Sequence, residues 1–500
     1  MTAPSGHLPA LAAAVLQPGF VGTTPPPWVC RWLGDGLGSV VLFARNVVDT
    51  AQVAALTATL RAERPDVIVA IDEEAGDVTR IESVRGSSRP GNFALGAVDD
   101  PELTEAVARD LGVELTAAGV TLNYAPDADV NSNPANPVIG VRAFGADPAL
   151  VARHTAAWVR GLQAGGVAAC AKHFPGHGDT RVDSHHDLPR ITADRARLDA
   201  CELAPFRAAV AAGVQAVMTG HLLVPALDPE LPATLSHRIL GGLLRDEMGF
   251  SGVVVTDAVE MRAVADRYGF AGAAVRALAA GADAICVGGE RADEQAAREL
   301  RDAIVAAVVS GELPEERLAE AAKRIGQLAA WTVAARSDTS AAARGGAEVG
   351  LVAARRAVRV TVAVPGTAGG SVALPLTRAA HVVEFEPPRN IAIGAETPWG
   401  IGVPLGELLP GTSTVRYAES DVPIDPGAGA SSRPLVLVVR DLHRHEWMRA
   451  AVRRAIAARP DAVVVELGVP ELVTGAVHLA THGATRASGR AAAEVLTGAS

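Results

Sequence analysis

Residues 171–189 read AKHFPGHGDTRVDSHHDLP, and this one stretch holds four histidines, three aspartates and a lysine. Phe174, Val182 and Leu188 are its only large apolar residues, and its prolines and glycines prevent a long regular element. Such a segment adds little to a core; it presents groups that carry protons and charge. Three chemistries use these residue types. Metal binding would draw on His173 and His177 with Asp183, His185 and His186, because zinc accepts imidazole and carboxylate. A His-x-x-x-His pair shares an ion best on a helix, however, and Pro175, Gly176 and Gly178 break one here; no HExxH occurs in the chain. Nucleophilic hydrolysis would use Ser184 between Asp183 and His185, but no GxSxG elbow surrounds it, and adjacent residues on a loop rarely form a triad.

Glycoside cleavage is the third. It needs a carboxylate that attacks or stabilises an oxocarbenium-like centre and a group that protonates the leaving oxygen. Asp257 closes the run GVVVTD, and a strand end holds a nucleophile rigidly. Asp183 and His185 stand two apart, so in an extended segment both point to one side. The carboxylate can then hold one ring nitrogen and favour the imidazolium, which gives a proton in one step and takes one in the next. Asp72, Arg80, Arg142, Lys172 and His173 would grip sugar hydroxyls. The residues alone favour this reading without closing the other two.

These side chains need elements to bring them together. Within the first 335 residues, short β-branched runs recur: 38–46, 66–74, 120–130, 167–174, 214–221, 252–260 and 283–289, with a weaker one, PGFVGT, at 18–23. Between them lie Ala-rich stretches with helical caps. DPALVARHTAAWVRGLQAGG opens on an Asp cap and ends in Gly, SHRILGGLLRDEMGF runs from Ser236 to Gly249, and Pro205 suits a first helical turn. Apolar strands alternating with helices predict a parallel sheet covered on both faces. Eight repeats fit a (β/α)8 TIM-type barrel, whereas a doubly wound fold would carry a glycine fingerprint after its first strand, and none is evident. Polar residues close run after run: Arg45 and Asn46; Asp72, Glu73 and Glu74; Asp127 and Asp129; Lys172 and His173; His221; Asp257 and Glu260. In a barrel these ends open onto one face, where active sites lie.

After Trp331 the composition changes. RSDTSAAARGGAEVG (336–350) reads as a linker, and 351–500 as a smaller α/β sandwich-like domain with strands in VRVTVAVPG, PLVLVVRD and DAVVVELG. The domain expectation is therefore a catalytic barrel over 1–335, a linker, and a C-terminal domain over 351–500 whose His443, His445 and His482 show no spacing tied to a reaction.

Composition bounds the partners. The net charge is -11 and no long Lys/Arg run occurs, which argues against nucleic acid. Cys30, Cys170, Cys201 and Cys286 are scattered without a CxxC pair and read as thiols rather than disulfides or metal ligands. No run reaches the ~20 apolar residues that span a bilayer, and the N-terminus lacks a basic region ahead of its apolar stretch, so the expected location is cytoplasmic with no membrane partner.

The motif KHFPGHGDTRVDSHHDLP resembles the signature loop of glycoside hydrolase family 3 β-N-acetylglucosaminidases. IDEEAGDVTR, NPVIGVRAFG, PATLS and SGVVVTDAVEM follow the family's pattern, in its order, across 1 to 335. The resemblance implies a retaining exo-enzyme with Asp257 as nucleophile, Asp183 and His185 as acid/base dyad, and Asp72, Arg80, Arg142, Lys172 and His173 as sugar-binding residues. It implies a small carbohydrate substrate; no cofactor is expected, and the residue pattern itself argues against a metal. It also brings in phosphate as a competitor of water, because a neutral His185 does not repel an anion as a carboxylate would. β-Glucosidases of the same family are the alternative; in their two-domain members the acid/base is often a Glu from the second domain, and the Asp-x-His pair argues against that. One stretch departs: the family's usual DQEGGRVQR reads DEEAGDVTR, with Glu73, Ala75 and Asp77 in place of Gln, Gly and Arg.

Overall fold

The computed structural model describes residues 7–180, 188–339, 348–362, 374–388, 390 and 392–499. They divide into two compact units. One comprises Met1–Glu74, Pro101–Ile139 and Ala143–Gly345, the other Ala75–Asp100, Gly140–Arg142 and Gly346–Ser500. The second unit thus takes two pieces of chain that interrupt the first.

Among the described residues, the first unit contains eight strands: β1 (Leu16–Pro18), β2 (Ser39–Leu42), β3 (Ile68–Ile71), β4 (Leu122–Asn123), β5 (Ala168–Phe174), β6 (Ala216–Thr219), β7 (Val253–Thr256) and β8 (Ile285–Val287). β2 to β7 pair in sequence order, every pair parallel. β8 pairs in parallel with β1, and a bridge from Val255 to Ala284 joins β7 to the start of β8. This is the (β/α)8 barrel arrangement. β1 precedes the weak run expected at 18–23. Leu16, Gln17 and Pro18 pair with Ile285, Cys286 and Val287, and the Gly19 N–H donates to Val287 O at 2.7 Å. Gly19 abuts Gly288 so closely that a Cβ on Gly288 would lie 2.4 Å from the Gly19 nitrogen.

Alternate strand residues fill the interior: Ile68 and Ala70, Leu122 and Tyr124, Ala168 and Cys170, Ala216 and Met218, Val253 and Val255. The two-residue repeat of a strand puts them on one side. Ile325, Leu328 and Ala329, from the helix Glu315–Thr339, join this core. That helix also sends Arg317 and Arg324 to Asp283, just ahead of β8, so it covers the N-terminal end of the barrel. The opposite end is where the polar strand tips emerge.

Local signals act as their residue types dictate. Asp147 caps the helix Pro148–Ala164 by accepting from the Ala149 N–H, and Gly165 ends it. Asp49, Asp194 and Asp293 cap three further helices in the same way. The segment Arg238–Glu247 is a π-helix, with Gly249 at φ +71° beyond it.

In the second unit, β9 (Arg359–Val362), β10 (His381–Phe385), β11 (Ser413–Tyr417), β12 (Leu435–Val439), β13 (Val463–Glu466) and β14 (Val477–Ala480) form one sheet in the order β11-β10-β12-β13-β14-β9. Only β9 runs antiparallel. Val382, Val436, Val438 and Val463 pack on one face with Ala492 and Leu496 from the helix Arg486–Thr497. Val383, Leu435, Leu437 and Val464 pack on the other with Met448 and Val452 from the helix Glu446–Ala458. Continuous valine runs are what a two-sided burial requires. The helix Glu315–Thr339 enters the expected linker, and the helix Glu348–Ala357 begins within its last residues. Among the described residues no helix is long and apolar enough to cross a membrane.

Candidate active site

Asp72 follows β3 directly, and Lys172 lies within β5, two strands along the sheet. The Lys172 ammonium contacts the Asp72 carboxylate and sits 2.7 Å from Glu74 Oε1. Lys172 and Glu74 are buried, whereas the Asp72 side chain stays 25% exposed, enough to meet a ligand. One cation therefore holds two carboxylates, and only one of them faces outward.

His173 is the next residue of β5. Its Nδ1 lies 2.8 Å from Asp129 Oδ2, and its backbone N–H donates to Asp129 Oδ1 at 3.2 Å. The same Oδ1 accepts from the His177 N–H at 2.6 Å. Asp129 is fully buried. Burial works against its charge, but the His173 and His177 interactions more than offset this and leave its pKa below the ordinary carboxylate value. Glu202, also buried, behaves oppositely: desolvation and then the nearby Asp129 charge push its carboxyl up to about 7. It packs under the Gly176 turn, where a Cβ would lie 2.7 Å from the Glu202 Cβ.

Asp257 sits one residue past β7 and is half-buried. Its N–H donates to Thr219 O of β6 at 3.1 Å, and its Oδ1 accepts from the Ala258 N–H at 2.8 Å. His221 supports this corner, with Nε2 donating to Ala258 O at 3.0 Å and Nδ1 lying 2.8 Å from Thr234 Oγ1. Asp257 and Asp72 both act on the Cys286 thiol in the barrel interior; burial raises its pKa first, and Glu260, Asp257 and Asp72 add to the rise.

Not every polar tip serves chemistry. Arg45 donates to Phe20 O and Gly289 O, Asn46 to Phe20 O and Gly22 O, and Glu260 Oε1 accepts from the Gly288 and Gly289 N–H groups. These three tie down the loops after β1 and β8. Of the remaining expected residues, Arg80 and Arg142 belong to the second unit. Arg80 donates to Ala392 O at 3.0 Å, and the Arg142 carbonyl accepts from Asn92 Nδ2 at 2.7 Å. Asp183 and His185 lie outside the described residues.

Asp127, Asp129 and His173 place three ligand-type atoms within 4.8 Å of one another, the one such cluster among the described residues. An ion there would compete with the hydrogen bonds that Asp129 already accepts from His173 and His177.

Residues 32–328 match the description "Glycosyl hydrolase family 3 N terminal domain". The chain belongs to glycosyl hydrolase family 3. Within the family it is similar to "Beta-hexosaminidase A" of Pseudoalteromonas piscicida, 36% identical over 61% of this chain, although the match spans just over half, 55%, of that protein. A "Beta-hexosaminidase" of Xanthomonas euvesicatoria pv. vesicatoria is 39% identical over 54% of this chain and 82% of that one. Among solved structures, a family 3 β-N-acetylglucosaminidase from Paenibacillus sp. str. FPU-7 matches with a TM-score of 0.86 at 34% identity, covering 98% of this chain and 97% of that chain.

In the stretch that departs from the family 3 pattern, Ala75 and Asp77 have a physical account, whereas the bonds of Glu73 to Asn123 come from its backbone and do not explain its side chain. Glu73 exchanges backbone bonds with the Asn123 side chain, at 2.9 Å from its N–H and 2.8 Å to its carbonyl. Glu74 shares Lys172. Asp77 lies 2.5 Å from Arg440 and accepts from the Ala484 N–H at 2.8 Å, so it serves the packing of the second unit. Ala75 stands at φ +58°, a left-handed conformation that a glycine in the family's usual position adopts without strain.

Sequence reasoning named Asp129 only as a polar strand tip, without a role, and passed over Glu202. Asp129 stands at a strand tip, but its partners lie 44 and 48 positions later, a separation no local pattern carries.

Proposed function

We propose that the protein is a retaining exo-β-N-acetylglucosaminidase acting on terminal β-linked N-acetylglucosamine. The observation that carries this reading is the placement of Asp257 at the end of β7, in the same parallel ring and at the same end as the Asp72–Lys172 pair. Asp257 attacks the anomeric carbon while the Asp183–His185 dyad delivers a proton to the departing glycosidic oxygen; the ester formed on Asp257 is then cleaved by an acceptor whose proton His185 takes up. Asp72, Arg80, Arg142, Lys172 and His173 bind the sugar. Water is the acceptor of the hydrolase, and phosphate competes with it to give N-acetylglucosamine 1-phosphate, since a neutral His185 does not repel an anion and the charge of Lys172 favours one. The alternative is a β-glucosidase of the same family.

Turnover of nitrophenyl β-N-acetylglucosaminide beside nitrophenyl β-glucoside tests the reading. Preference for the first supports it; preference for the second replaces it with the alternative, and silence on both overturns it. Repeating the assay with phosphate against a sulfate control of equal ionic strength tests the acceptor, because added salt itself screens charge. A sugar phosphate and faster turnover support phosphate, and free sugar at an unchanged rate leaves a hydrolase.

A further inference from the structure

Among the described residues, the Asp129 carboxylate directs its hydrogen bonds to two histidines of the next strand and turn. Oδ1 accepts the backbone N–H of His173 and that of His177, and Oδ2 faces His173 Nδ1 at 2.8 Å. A carboxylate can only accept, so the proton of this contact belongs to Nδ1. In the neutral ring that leaves Nε2 with a lone pair, and among the described residues Nε2 makes no hydrogen bond. Asp127 Oδ2, 4.0 Å from Nδ1, adds negative charge on the same side of the ring and reinforces the arrangement. Buried carboxylates pay a large desolvation cost, and one retained in such a place must return that cost in specific bonds.

We propose that Asp129 is a positioning residue that fixes His173 as the Nδ1–H tautomer, so that Nε2 meets the substrate as a hydrogen-bond acceptor and a sugar hydroxyl must donate to it. The proposal rests on the sugar-binding role given to His173 above. It adds a direction to that contact: a substrate position carrying a hydroxyl is accepted, and one carrying only an acceptor is refused, because two lone pairs would face each other. The same carboxylate fixes the backbone of His177, at the turn from which the chain enters the segment containing Asp183 and His185.

Asp129→Asn separates this role from a merely structural one. The asparagine oxygen can still accept from the two backbone N–H groups, while its amide would donate to His173 Nδ1, drive the ring proton to Nε2 and turn the acceptor into a donor. Nitrogen NMR of selectively ¹⁵N-histidine-labelled protein at pH 8 reads the tautomer directly, with His173 assigned from the spectrum of a His173→Gln variant. We expect Nδ1–H in the wild type and Nε2–H in Asp129→Asn. The variant's KM for the aryl N-acetylglucosaminide should rise about 10-fold or more with kcat within about 3-fold, as for an interaction made equally in ground and transition states. A wild-type ring protonated on Nε2, a variant that keeps Nδ1–H, or a flipped tautomer with unchanged KM each overturns the proposal. The wild-type spectrum decides even if the variant fails to fold. It also decides if the chain turns over no N-acetylglucosaminide, an outcome that sinks the proposed function instead.

Discussion

The two ends of the barrel handle buried charge in opposite ways. At the N-terminal end, Asp283 is fully buried and meets Arg245 at 2.5 Å, Arg317 at 2.6 Å and Arg324 at 3.3 Å, while also accepting the Val254 N–H at 2.9 Å. Three guanidiniums around one carboxylate leave it saturated and inaccessible. At the C-terminal end the balance is reversed. Asp72 and Glu74 share the Lys172 ammonium, Asp129 leans on two histidines, and Asp257 is half-buried with one backbone N–H on its Oδ1. A carboxylate ringed by guanidiniums staples strands together, whereas Asp72 and Asp257, each left partly exposed, stay open to a ligand. Parallel strands all point the same way, so one end gathers the saturated ion-pair cluster and the other the polar strand tips on which the proposed chemistry would rest.

The largest test of that contrast is Asp257→Ala. Removing a covalent nucleophile should cut kcat on the order of 10⁴-fold or more while leaving the unfolding midpoint close to wild type. A mechanism-based fluoro-sugar should label Asp257 in the wild type; a label on another carboxylate would falsify the assignment. Next comes His185→Ala, which should slow substrates with poor leaving groups about 10²–10⁴-fold and activated aryl glycosides far less. An equal loss on both classes would make His185 a binding residue.

Asp283→Asn probes the other end. Three buried or half-buried arginines lose their shared anion, so stability should fall by about 3–5 kcal/mol in urea titrations, with kcat of the folded enzyme within about 3-fold of wild type. A drop in kcat as large as that of Asp257→Ala would erase the distinction between the ends. A fourth test uses pH. The folded Glu202 carboxyl titrates at about 7 and the unfolded one near its ordinary value, so the folded state holds the extra proton between roughly pH 4.5 and 7. Its contribution is therefore present at low pH and lost as pH rises through that window. Glu202→Gln should remove this slope and leave the variant on the order of 1–3 kcal/mol more stable than wild type at pH 8, relative to pH 4.5. Parallel stability–pH curves for the two proteins would assign the slope to another group. The smallest effect belongs to Ala75→Gly, which should raise stability by about 0.5–1 kcal/mol by relieving the left-handed backbone, as read from the thermal midpoint. A lower midpoint would show that the alanine methyl is worth more than the strain.

The sequence by itself determined the repeating strands and helices, the caps, and the strand-end position of Asp257, because each depends on residues within about ten positions of one another. It also determined that Lys172 and His173 lie near the end of a buried strand. Only the tertiary structure decided which carboxylates those residues meet. Lys172 reaches back 100 positions to Asp72, and His173 reaches back 44 to Asp129. The same holds for chain segments: Ala75–Asp100 and Gly140–Arg142 read as barrel loops, yet they pack with residues 346 onward, where Asp77 pairs with Arg440 and Arg80 with Ala392. Local patterns specify an element through its own periodicity, whereas partners between distant strands are selected by sheet register and by the desolvation cost of any charge left unpaired. Those two constraints exist only once the chain is closed into its barrel and its second sheet.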